Sequence, residues 1–316
     1  MEAKILVTGA SGGTQGATGN RLTQGLLEKG AAVRAFVRRE DARSARLKAA
    51  GAEIFTGDLR DFRAVRQAVK GIDRVYFCYP VRAGLLDATT AMAEAAKEEG
   101  VKFVLNLSQG ASSDTSPSPH ARRHWLSEKI FDRSGIPTFH LRGAVFYENL
   151  FRQFADGIRD ASELRAPFGT GDGKIPAIAA RDIVRVALIA IEDPAAFAGK
   201  THLVLGSALS LNEIAQELTD LLGRRVRYRE ISQEDWVREA EAREGTGSPE
   251  QIEHLVNLWK AILILNQNAS MVQALQELAR LFEKLTGERP LAWHEWLKRD
   301  EATIKAAADG HALTSR

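Results

Sequence analysis

Two hydrophobic periods share the first half of the chain. Short apolar runs, Ile5-Leu6-Val7, Ala32–Val37, Ala52–Phe55, Arg74–Cys78, Val101–Leu107 and Pro137–Arg142, have the length and the β-branched or aromatic content of buried strands. Between them the spacing turns helical: Leu22, Leu26 and Leu27 recur at helical intervals until Gly30 supplies a stop, and the helices before the fifth and sixth strands end near Gly100 and Gly135. Regular alternation of strand and helix predicts an α/β fold, a doubly wound parallel sheet covered on both faces.

Beyond residue 150 this rhythm breaks. A glycine-rich loop, Phe168–Gly173, leads to a predicted helix over Ala180–Ile191, and His202–Leu205 reads as one more strand. Ser210 and Glu213 match a capping box for a helix running to Gly223, and Arg224–Arg229 alternates like a short strand with one solvated face. Ser248-Pro249 opens a long helix, and a second runs from about Ser270 to near Gly287, with Pro290 just beyond. The run Ala261–Leu265 and the stripe Leu275, Leu278, Phe282, Leu285 suit a core or a subunit interface, which leaves room for a homodimer. The expected division is a sheet domain over 1–150, to which about 176–206 returns, and a smaller, mainly helical region over 151–316.

Composition narrows the function classes. A length of 316 residues exceeds one comfortable core, which supports two domains. The 43 basic against 41 acidic side chains leave a net charge of only +2, too little to draw in nucleic acid, so no direct nucleic-acid binding is expected. Glu2-Ala3-Lys4 and a first apolar run of three residues do not read as a signal peptide, and no apolar run approaches the roughly 18 residues that span a bilayer. With Cys78 as its one cysteine the chain forms no internal disulfide, and a reducing cytoplasm is the expected location.

The chemistry concentrates where the first strand meets the first helix. Gly9, Gly12, Gly13, Gly16 and Gly19 lie between them. Glycines there let the chain turn sharply and expose bare backbone, while the helix N-terminus offers unpaired N–H groups to a pyrophosphate. Position and context therefore point to a dinucleotide. Two registers are open: Gly9-x-x-Gly12 followed by Gly16, or Gly13-x-x-Gly16-x-x-Gly19. The second strand ends in Arg38-Arg39, where an NAD-binding domain usually carries an acid for the ribose hydroxyls. Arginine suits a 2′-phosphate, so NADP(H) is favoured over NAD(H), although Glu40 and Asp41 follow at once. After the third strand, Asp58 is placed to accept from an adenine amino group with Leu59 over the ring, or to cap the helix beginning near Asp61.

Together with Leu107-Ser-Gln-Gly-Ala111, His124-Trp-Leu-Ser-Glu128, Leu141-Arg142, Phe146-Tyr-Glu-Asn149, Gly171-Asp-Gly-Lys174, Asp182 and a terminal Leu285-Thr-Gly-Glu-Arg-Pro-Leu-Ala-Trp-His-Glu-Trp296, these motifs span nearly the whole chain. The chain resembles the NmrA-like branch of the atypical short-chain dehydrogenase/reductases, which includes bacterial quinone and triphenylmethane reductases. That resemblance implies a Rossmann-type fold in which Gly9, Ser11, Gly12, Gly13, Thr14, Gln15 and Gly16 wrap the pyrophosphate and Arg38 meets the 2′-phosphate. It implies further that Tyr79, Pro80 and Ser108 border the nicotinamide, and that Phe146 and Asn149 line the substrate side.

The tyrosine and lysine, four apart, with which ordinary members protonate a substrate oxygen are missing. His120-Ala-Arg-Arg-His124 stands in their place. Carbonyl reduction needs such an acid, whereas a quinone or dye accepts hydride directly and is protonated afterwards by water or a histidine. His124 is the candidate donor, with orientation of the nicotinamide ribose or a plain helix-face hydrogen bond as its other readings. His120 and His124 lack a third ligand nearby, so no metal is expected. Ser108 lacks the elbow motif of an acyl-transfer nucleophile. The expected function is an NADPH-dependent reductase of a quinone-like or conjugated aromatic small molecule, and the alternative is an NADP(H)-binding redox sensor.

Overall fold

The computed structural model describes residues 3–13, 15–242, 248–267 and 269–310. Its elements run β1 (Lys4–Val7), α1 (Thr18–Glu28), β2 (Ala32–Val37), α2 (Ala42–Ala49), β3 (Glu53–Thr56), α3 (Phe62–Val69), β4 (Arg74–Phe77), α4 (Leu85–Glu98), β5 (Phe103–Gln109), α5 (Pro119–Ser134) and β6 (Thr138–Gly143). They continue with β7 (Val145–Phe146), α6 (Tyr147–Ala161), β8 (Glu163–Ala166), β9 (Ile175–Ile178), α7 (Ala180–Glu192), α8 (Pro194–Phe197), β10 (Thr201–Val204), β11 (Ser207–Leu209), α9 (Leu211–Leu222) and β12 (Arg227–Glu230). Five more helices complete the run: α10 (Gln233–Ala242), α11 (Pro249–Asn266), α12 (Ala269–Thr286), α13 (Trp293–Arg299) and α14 (Glu301–Ala308).

Two compact units result. The first holds the described residues up to Gly143 together with Ile183–Leu203, and the second holds Ala144–Asp182 with the described residues from Val204 onward. The returning segment is thus 183–203, and the first boundary falls at Gly143, earlier than residue 150.

In the first unit a seven-stranded sheet has the order β10-β6-β5-β4-β1-β2-β3. The pairings from β3 through β6 are parallel, with Ile5 opposite Val33 on one side and Arg74 on the other. Parallel strands joined by helices bury both faces. Leu6, Val75, Phe77 and Val104 accordingly join Val65, Met92 and Phe131 from the covering helices in one core. The order reverses at β1, since β2 and β3 lie on one side and β4 to β6 on the other. Such a switch point opens a crevice at the carboxyl ends of the strands, which is where doubly wound sheets bind ligands.

The second unit has its own aromatic core, in which Tyr147, Phe154, Phe168, Trp236, Trp259 and Trp293 are buried. It carries a small sheet in the order β11-β9-β7 and a β12-β8 pair. The capping box at Ser210 and Glu213 is present in both directions, and Gly223 ends that helix at φ 65°. Ser248 caps α11 with Pro249 in its first turn. The basic run becomes β12, where Arg227 and Arg229 both pair with the buried Glu163 while their own side chains stay more than half exposed. Strands β7, β8, β9 and β11 and helices α6, α8, α10, α13 and α14 stand outside the predicted set. In α12, Phe282 is fully buried and Leu278 and Leu285 are partly so, while the side chain of Leu275 lies outside the described residues. Among the described residues no helix is long and apolar enough to cross a membrane.

Candidate active site

The loop after β1 turns on three glycines in the left-handed region: Gly9 (φ 65°), Gly12 (φ 72°) and Gly16 (φ 75°). A side chain at Gly9 would come within 2.6 Å of Cys78 Sγ, and the Gly12 amide donates to Gly9 O at 3.0 Å to close the first turn. Gly19 serves differently. It sits in the first turn of α1, where a Cβ would overlap Thr8 O and lie 2.7 Å from Gly9 O, so it lets the helix press directly on the strand end. The turn register is therefore Gly9, Gly12, Gly16, with Gly19 as the packing glycine, while Gly13 meets nothing within 4 Å. Ala17 precedes α1 at φ 50° and gives it no side-chain cap. An uncapped helix start beneath bare backbone fits a pyrophosphate.

Other segments converge on the same ends of the strands. Gln15 Oε1 accepts from the Val81 amide at 2.9 Å, which ties the loop to the segment after β4 that carries Tyr79 and Pro80. Tyr79 is buried and donates to Ala83 O at 2.9 Å. Ser11 is half-buried, and Thr14 lies outside the described residues. Arg38 is exposed just past β2. Asp58 follows β3, and its carboxylate accepts from the Arg60 amide at 2.9 Å and from Arg60 Nε and Nη2 at 3.0 and 2.6 Å. These bonds hold its carboxyl well below the usual range. Asp61, not Asp58, caps α3, accepting from the Arg63 amide at 2.9 Å, so the capping alternative for Asp58 falls. Leu59 is half-buried and packs on the core beneath.

Ser108 lies near the end of β5, opposite Arg142 in β6. Its hydroxyl is buried and has no hydrogen-bond partner among the described residues. A buried polar atom left unpaired is costly unless a ligand completes it, which fits a bound nucleotide beside this strand. On α5, His124 is buried and meets His120 edge-on, with ring centroids 5.0 Å apart. Among the described residues no cluster of histidine, cysteine or carboxylate side chains could hold a metal ion.

One turn beyond His124 stands Glu128. The carboxylate is 2% exposed and accepts from Arg142 Nε at 2.9 Å, from Arg142 Nη2 at 2.5 Å and from Ser112 Oγ at 3.2 Å. The fork of the Arg142 guanidinium thus neutralises a buried anion. Sequence reading quoted both residues in motifs without pairing them, because their contact depends on how α5 lies against β6.

Phe146 and Asn149 belong to the second unit. Phe146 precedes α6, whose apolar face buries Leu150, Phe151, Phe154 and Ile158. Asn149 Oδ1 and Arg152 Nε lie one turn apart on this helix, both buried and both without a hydrogen-bond partner among the described residues. Arg152 was missed by sequence reading; a cation three residues after Asn149, on a helix with a strong apolar face, was the available signal.

Residues 1–286 match the NmrA-like family. An NAD(P)H azoreductase from Xenophilus azovorans is 31% identical over 307 residues, which cover 96% of this chain and 100% of that one. The NADPH-dependent quinone oxidoreductase QOR2 of Escherichia coli, solved with NADPH, superposes with a TM-score of 0.74 at 25% identity, covering 93% of this chain and 99% of the other. The negative transcriptional regulator NmrA superposes with a TM-score of 0.75 at 19% identity, covering 99% of both chains, a likeness of fold. With its seven-stranded sheet, its glycine turn and this match over nearly its full length, the chain belongs to the NmrA-like family.

Proposed function

We propose that the chain is an NADPH-dependent reductase that passes hydride to a quinone-like, azo or other conjugated aromatic acceptor. The observation that carries this reading is the glycine turn beneath an uncapped α1, with an arginine directly after β2. The likeness to an azoreductase over 96% of the chain supports it. NADPH supplies the hydride when bound. Gly9, Gly12 and Gly16 give its pyrophosphate close access to backbone amides, Arg38 faces the 2′-phosphate, and Ser108 offers a hydroxyl to the cofactor.

What surrounds His124 supports this acceptor class. The tyrosine and lysine that would protonate a carbonyl oxygen are absent, His120 and His124 standing in their place, and Glu128 one turn on is neutralised by Arg142. An acceptor whose reduced form is a stabilised anion manages without the tyrosine and lysine, and water or His124 protonates it afterwards. The assay is loss of NADPH absorbance with a panel of quinones, azo dyes and triphenylmethane dyes. Turnover with at least one class is expected, and rates at background with every acceptor refute the reading.

The missing tyrosine and lysine favour one competing reading, a redox sensor that binds NADP(H) without turning it over. Calorimetric titration separates the two: a sensor prefers one redox form and changes its assembly or partner affinity on binding it, whereas a reductase turns over.

A further inference from the structure

Asp41, which with Glu40 follows Arg38-Arg39, is a candidate acceptor for the ribose hydroxyls of NAD(H), yet its oxygens are committed elsewhere. Oδ1 accepts from the amides of Arg43 at 2.9 Å and Ser44 at 3.2 Å, as the N-cap of α2. Oδ2 accepts from Arg43 Nε at 3.1 Å and Nη2 at 2.6 Å. Ser44 Oγ closes the capping box by accepting from the Asp41 amide at 2.8 Å. The Arg43 guanidinium holds this carboxyl down to about 2. From there Arg43 Nη1 reaches Gly12 O at 3.3 Å, so one guanidinium bridges the start of α2 and the second glycine of the turn.

We propose that Arg43 is a second determinant of 2′-phosphate selection beside Arg38, and that Asp41 is its positioning residue, not a ribose acceptor. This rests on the NADPH reading. In a doubly wound sheet the adenosine ribose sits between the first glycine turn and the end of the second strand. Arg43 is anchored at both sides of that interval. Of the five N–H donors of a guanidinium, three serve Asp41 and Gly12 here, which leaves one on each terminal nitrogen for a phosphate. Because Asp41 fixes the side chain beforehand, less rotamer freedom is lost when phosphate binds.

The proposal reverses the usual expectation for an acid near a phosphate. A ribose-accepting Asp41 would repel the 2′-phosphate, and neutralising it would raise NADPH affinity while lowering that for NADH. A positioning Asp41 gives the opposite sign for NADPH. The experiment is calorimetric titration of the full chain and of Arg38→Ala, Arg43→Ala and Asp41→Asn with NADPH, NADH and 2′,5′-ADP. Asparagine retains an oxygen for the α2 cap but loses the charge that grips Arg43.

Arg43→Ala should weaken NADPH and 2′,5′-ADP about tenfold and leave NADH within about twofold, the loss expected for a hydrogen bond to a charged group. Asp41→Asn should weaken NADPH severalfold with NADH unchanged. Equal losses for NADPH and NADH in Arg43→Ala, no loss at all, or a gain in NADPH affinity in Asp41→Asn would each overturn the proposal. Arg38→Ala tells the two levels apart. If it separates the cofactors while Arg43→Ala does not, only the role of Arg43 is lost; if neither separates them, the NADPH reading itself fails.

Discussion

Replacing Arg142 by methionine strips the cation from a carboxylate that is 2% exposed. Glu128 Oε1 then keeps only Ser112 Oγ, at 3.2 Å, and Oε2 keeps none of the protein donors described above. Removing one partner of a buried ion pair costs about 3–5 kcal/mol, because the other charge stays behind unpaired. Arg142 is itself 24% exposed, so water can follow the lost guanidinium and the cost falls at the lower end, about 3 kcal/mol. In a domain of this size each kcal/mol moves the midpoint by about 2–4 °C, so thermal unfolding followed by circular dichroism should shift down by about 6–12 °C. The double variant Glu128→Leu with Arg142→Met removes both charges and should return to within about 1 kcal/mol of the parent, since an apolar pair of similar volume often replaces a buried ion pair at little cost. An Arg142→Met variant within about 1 kcal/mol of the parent, or a double variant no more stable than the single, would refute this account of the pair.

Three further outcomes follow from the nucleotide side of the sheet. Arg38→Ala should weaken NADPH at least about tenfold and NADH little, read by fluorescence titration; equal losses would show that the phosphate lies elsewhere. Gly19→Ala drives a methyl into Thr8 O and should cost about 1–3 kcal/mol or more in urea unfolding, whereas Gly13→Ala, with open space around it, should stay within about 0.5 kcal/mol. Equal stability of the two would contradict the packing role of Gly19. Burial pushes the Cys78 thiol up to about 11, against the Thr8 hydroxyl, whose hydrogen bond to Sγ acts the other way. The folded state therefore keeps the thiol proton that the unfolded chain loses near pH 8.5, so stability should fall as pH rises from about 8.5 toward 11. A Cys78→Ala variant that loses just as much stability over that range would show that other groups cause the slope.

The legible part of the fold was the part with a period. β1, α1 and β2 follow from apolar runs and a leucine stripe, and the Ser210–Glu213 box follows from residue types three apart. Short strands of the second unit were hidden because Glu163-Leu-Arg-Ala and Ile175-Pro-Ala-Ile have too few residues to show alternation, and a proline sits in one of them. The glycine register needed three dimensions, since only contact with the Thr8 and Gly9 backbone distinguishes Gly19 from the turn glycines. Arg38 was readable from its place after a strand. Arg43 was not, because its importance lies in a bond to Gly12, 31 positions earlier. Asp41 was readable as an acid but not as a helix cap already gripping a guanidinium.

The aromatic anchor of the second unit has a consequence for biosynthesis. Tyr147 at the start of α6 meets Trp293 at 5.2 Å and Trp296 at 5.8 Å, and its hydroxyl reaches Leu291 O at 3.2 Å. Phe151 also meets Trp296. These partners leave the ribosome well over a hundred residues after α6, a wait of roughly 7–30 s at typical elongation rates of about 5–20 residues per second. The β-sheet of the first unit completes earlier, once β10 arrives. During that interval the nascent chain presents an aromatic helix face without its cover, a surface of the kind that chaperones hold. Messages truncated before residue 291 should therefore yield a first unit that folds and a second that is degraded.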